Sequence, residues 1–149
     1  MDKRLIHNFT WVPILIIAII AIIMGGVWMS HPEPWLLDKV PNEALLKISF
    51  ENLFANEINL YLSSYLIVLY KFFGLWLMSI GLLTFNYVYI TRLGTKLSRT
   101  SIHIILLIIL MGMYVLVFKF IPTSPFVALL YLLTALFITS IYFSFKLGE

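Results

Sequence analysis

The chain has 149 residues, 62% of them hydrophobic and 11% charged, with no cysteine; its mean hydropathy is +1.01. Soluble domains carry about 25% charged residues, so this composition points away from a soluble enzyme or binding module, and the missing cysteines exclude disulfides, thiolate metal sites, iron–sulfur ligation and thiol redox chemistry. The formal charge of +3 comes from short clusters between apolar runs rather than from one polar face, which sets nucleic acid aside as a partner.

A hydrocarbon core about 30 Å thick needs roughly 20 apolar residues in a helix, and four runs reach that length. The first, "WVPILIIAIIAIIMGGVWM" at 11–29, places Trp11 and Trp28 at its ends, about 26 Å apart along a helix. That is the spacing of two interfacial aromatic belts. Pro13 is expected in the first turn, where its missing N–H costs little. Gly25 and Gly26 stand before Val27 and Trp28 rather than in a small-x-small cleavage pattern, so the run is expected to be a retained span and not a secretory signal.

The connection at 30–59 is longer than a turn. "HPEPWLLD" opens it with two prolines that hold the backbone extended. Asn42 is then expected to cap a helix over about 43–57, "EALLKISFENLFANE", with Leu45, Leu46, Leu53 and Phe54 at helical spacing and Glu43–Lys47 and Lys47–Glu51 as i,i+4 ion pairs. This amphipathic helix would lie on the outer leaflet, cap the bundle or offer a docking face. His31, Glu33 and Asp38 are weak candidates for a metal site, because their spacing fits no established ligand pattern. Neither a metal nor a cofactor is expected.

The second run, about 60–90, is too long for one perpendicular crossing and must tilt or protrude. The third, about 101–121, follows Ser98 as its expected N-cap. The fourth, about 125–145, follows the turn "IPTSP", so the last two runs form an antiparallel hairpin. Lys3 and Arg4 precede the first run, Arg92, Lys96 and Arg99 fill "TRLGTKLSRT", and Lys146 follows the fourth run, whereas 30–59 holds five acids against two lysines. By the positive-inside rule, both termini and 91–100 belong in the cytoplasm of a multi-pass cell-membrane protein, and 30–59 outside.

One cation interrupts the second run. On a helix Lys71 shares a face with Met78 and is flanked by Gly74 and Gly81, with Asn86 deeper on the other flank. Glycines seven apart let another backbone approach closely. A charge at the bilayer centre costs about 2.5–3.5 kcal/mol. Lys71 therefore either snorkels at the outer interface, with Lys119 as its counterpart there, or faces the bundle and anchors an anionic headgroup. His103 is expected near the inner interface.

"YKFFGLWLMSIGLL" at 70–83, through Lys71, Gly74 and Gly81, resembles the second-helix region of small DoxX-like four-helix membrane proteins; the likeness covers one span together with size and topology. It implies a four-helix bundle that associates with other membrane components. No acidic residue lies in any of the four runs, which speaks against ion-coupled transport, and no nucleophile, Walker or Rossmann pattern is present. The sequence thus reads as one all-α domain over 1–149, a bundle of four transmembrane helices with an amphipathic outer helix between spans one and two. The expected role is non-catalytic, as an accessory or assembly subunit partnered by the bilayer and by other membrane subunits or copies of itself. The rival is a lipid- or small-hydrophobe-binding bundle with Lys71 as the anion anchor.

Overall fold

Asp2 starts the first helix by accepting the Arg4 N–H on its carboxylate at 3.2 Å. The computed structural model describes residues 2–148, and from this cap α1 runs unbroken over Lys3–Ser30. It begins eight residues before the apolar run, because hydropathy marks where a helix meets hydrocarbon and not where its cap lies. Pro13 is consequently in the helix interior and not in the first turn. A proline there removes one rung of the ladder and pushes against the carbonyls of the preceding turn.

The connection after α1 departs from the expected single helix over 43–57. A short 3-10 turn, Pro34–Asp38, leads into α2 (Lys39–Leu46), then α3 (Phe50–Ala55) and a second 3-10 turn, Glu57–Asn59. Lys47 adopts the left-handed conformation at φ 59° and ends α2. The break is held from both sides. The Glu43 carboxylate accepts the Phe50 N–H at 2.8 Å, and Ser49 caps α3 by accepting the Asn52 N–H at 3.2 Å. Bending the chain here lets Phe50 and Phe54 close on Trp35, with ring centroids 6.2 and 5.2 Å away. The ion pairs move accordingly: Lys39, not Lys47, bridges Glu43 at 3.7 Å and Glu51 at 2.6 Å.

Three long helices complete the chain: α4 (Leu62–Thr91), α5 (Lys96–Phe120) and α6 (Phe126–Lys146). Thr95, three residues earlier than expected, caps α5 by accepting the Ser98 N–H at 3.1 Å. Among the described residues no strand occurs, and α1, α4, α5 and α6 are each long and apolar enough to cross a membrane. At 1.5 Å per residue they measure about 42, 45, 38 and 32 Å.

Two of the three main contacts between long helices join helices that follow one another in the chain, and the third brings the last helix back to the first. α1 lies between α4 and α6, α5 rests on α6, and α4 rests on α1 and the Pro34–Asp38 turn. One end of the molecule gathers the start of α1, the 92–95 turn and the chain's last residues, through His7 to the Arg92 carbonyl at 2.7 Å and Arg99 to the Gly148 carbonyl at 2.9 Å. The opposite end gathers 31–61 and the 121–125 turn, joined where Ser124 donates to Asp38 at 2.9 Å.

Candidate functional site

The α1–α4 contact is set by small residues. A Cβ built on Gly74 would lie 2.7 Å from the Gly25 carbonyl oxygen, one on Gly25 2.5 Å from that of Gly74, and one on Gly81 2.8 Å from the Ile22 nitrogen. Ala18 continues the row and is buried. Backbones this close leave no room for a side chain at Gly25, Gly74 or Gly81, so these glycines, with Met78 beside Gly25, serve helix packing. Lys71 and Asn86 lie outside the seam and are exposed.

The level of Lys71 follows from the rings beside it. Trp28 is 5% exposed, stacked on Phe126 at 5.2 Å and met edge-on by Phe73 at 4.9 Å. Its ring thus faces inward between helices rather than outward to an interface, and its indole N–H has no partner. Phe126 is the first residue of α6, so Phe73 marks the height at which α6 begins. The eleven residues of α4 before Phe73 extend about 16 Å beyond that height. Lys71 stands two residues into this projection. Its exposed flank carries Tyr65, Val68, Leu69, Phe72 and, one turn deeper, Trp76, around a cleft of about 630 Å³. These positions recur at i, i+3, i+4, i+7 and i+11, opposite the glycine seam.

Trp11 is half-buried, donates to Asn8 at 3.3 Å and lies 5.6 Å beneath the Arg92 guanidinium. Lys119 sits in the last turn of α5, over the Phe120 ring at 5.3 Å. His31 accepts the Glu33 N–H on Nδ1, while Asp38 turns inward to Ser124. Among the described residues no three metal-ligating side chains come together.

The composition of the spans gave no hint of a buried polar chain between α1, α5 and α6. Ser140, fully buried, donates to the Thr10 carbonyl, and His103 Nε2 is 2.8 Å from the same hydroxyl. Thr10 is in the turn of α1 that precedes Pro13, one position beyond Phe9, whose carbonyl is the one the proline leaves without its helical N–H. Ser140 gives the Thr10 carbonyl a donor from a second helix and ties α6 to α1 at the level of the proline. Ser140 has one proton and directs it to the carbonyl, so His103 must donate from Nε2. His103 is therefore buried in a helix contact rather than placed at an interface.

The 92–95 turn is also built from polar contacts. Arg92 and Leu93 both have positive φ, 45° and 51°, which turns their carbonyls away from either helix. His7 takes the Arg92 carbonyl, and Arg99 takes those of Leu93 and Gly94, each at 3.3 Å. Arg99 is 6% exposed and pairs with no carboxylate among the described residues. At the opposite end Asp38, also 6% exposed, has its carboxyl pushed above the ordinary range by burial, against the smaller lowering effect of Ser124. Lys39 holds Glu51 below it.

Comparison with family models, curated proteins and solved structures finds no match to this chain.

Proposed function

We propose that this chain is a cell-membrane protein whose four long helices cross the bilayer as a bundle, with both ends cytoplasmic and 31–61 outside. Its role is that of a non-catalytic assembly subunit, and α4 is the helix it presents to a helix of another membrane subunit. The observation that carries the reading is the projection of α4. If α6, at about 32 Å, matches the hydrocarbon thickness, then residues 62–72 rise beyond lipid cover. Yet Tyr65, Val68, Leu69 and Phe72 are between 50% and 63% exposed there. Tilting α4 alone would not hide them, because the glycine seam fixes it against α1. A contiguous apolar stripe above the lipid marks a protein contact. The DoxX-like resemblance of 70–83 points the same way, toward association with other membrane components. Lys71, exposed on the flank of this projection, reads as a snorkelling cation and not as the anchor of a ligand.

The test is photo-crosslinking in native membranes. A photoreactive residue at position 72 or 76 should give a discrete protein adduct, and one at the exposed α5 position 108 only lipid adducts. An adduct of twice the chain mass would make the partner a second copy. Lipid adducts alone at 72 and 76, with a one-chain particle by native mass spectrometry, would overturn the assembly role.

A further inference from the structure

At the end opposite the α4 projection, a cleft of about 460 Å³ is lined by Lys3, Arg4, His7, Gly94, Arg99 and Leu147. We propose that this cleft binds a phosphate oxyanion. Its lining brings three cationic side chains and an imidazole from two helices that are distant in sequence, with no carboxylate among the described residues that line it. Of the acidic residues described, only Asp2 lies at this end, and its carboxylate is engaged in capping α1.

Arg99 is the fixed element. Three hydrogen bonds to the carbonyls of Leu93, Gly94 and Gly148 hold its guanidinium in one orientation. Carbonyl dipoles solvate a buried cation without neutralising it, and among the described residues no carboxylate pairs with Arg99, which leaves its charge for an anion to meet. Lys3 and Arg4 are exposed and free to close on a ligand. His7 donates Nε2–H to the Arg92 carbonyl, since a carbonyl can only accept, and so fixes the turn that holds Arg99 rather than meeting the anion itself. A planar guanidinium held at the back with flexible cations in front suits phosphate, which takes several charge-assisted bonds at once. The volume is within the range of small-ligand sites. Two sources offer this chemistry, the phosphodiester of an anionic lipid and free inorganic phosphate.

The inference is independent of the assembly role, and its test involves no partner protein. The intact chain is placed in nanodiscs of phosphatidylcholine with increasing phosphatidylglycerol, and lipid retention is read by native mass spectrometry. In parallel, thermal stability in detergent is followed against inorganic phosphate, with chloride matching the ionic strength. The Lys3→Gln/Arg4→Gln double variant, which touches only exposed side chains, should weaken binding of the ligand about 30-fold. Lys71→Gln/Lys119→Gln should leave it unchanged. Loss in the phosphatidylglycerol arm identifies a lipid headgroup, and loss in the phosphate arm a free ion. The proposal is overturned if neither arm separates the double variant from the native chain, or if Lys71→Gln/Lys119→Gln loses as much.

Discussion

Asp38 shows how one side chain ties the loops of one end together and makes that tie depend on pH. Burial raises its carboxyl above the ordinary 3.8, so the folded state keeps a proton over a pH range in which the unfolded chain has lost it. Stability from this group is therefore greatest at acid pH and falls as pH rises from about 4 through the raised value. Glu51 has the opposite sign, since its lowered value makes its contribution fade as pH falls below the ordinary carboxylate range. The polar neighbours facing Asp38 are Ser124 and, from α4, the Tyr70 phenol, which Asn42 bonds at 3.1 Å. Asp38→Asn should abolish the part of the decline in melting temperature that sets in as pH rises above about 4. An unchanged decline in that variant would remove Asp38 as its source. Sequence offered Asp38 only as a weak metal candidate, because its bond to Ser124 spans 86 positions and no local pattern announces such a pair. The same limit hid Thr10 and Ser140. A backbone carbonyl in one helix and a serine in another each look incidental until the fold sets one against the other.

At the scale of the element, hydropathy located four helices and left their ends open. α1 and α5 begin upstream of their apolar runs because Asp2 and Thr95 cap them, and a cap is a hydrogen bond and not a hydropathy step. The segment 43–57 kept its helical periodicity across the break at Lys47, since two short helices around a buried Trp35 satisfy the same apolar spacing as one. The glycines of α4 were legible as a packing device, and the structure adds their partners, Gly25 and Ala18. Gly74→Leu should cost about 1–3 kcal/mol or more by overpacking, because its Cβ would meet the backbone of α1, which cannot step aside. Gly26, one position along from Gly25, has no atom within 4 Å of an added Cβ. Gly26→Ala should therefore be neutral or stabilising by up to about 1 kcal/mol. Denaturant titration in mixed micelles checks both, and equal effects at the two sites would contradict the seam.

For the whole molecule, the distribution of charge and the placement of the ends agree. Six of the ten lysines and arginines lie at the end that gathers the start of α1, the 92–95 turn and the end of α6, and the acids of 31–61 lie at the other. The chain has no cysteine of its own, so single cysteines can report sidedness. Ile58→Cys should react with an impermeant maleimide in intact cells, and Leu97→Cys only in inverted vesicles. Reversal, or labelling of both from one side, would refute the orientation.

The lateral order of the helices has a further consequence for biosynthesis. α1, which packs against both α4 and α6, leaves the ribosome before either, and Thr10 waits 130 positions for Ser140. At about 5–20 residues per second that delay lasts roughly 6–26 s. Throughout it, α1 lacks the cross-helix tie from Ser140, so the contact between α1 and α6 is among the last that the nascent chain can make.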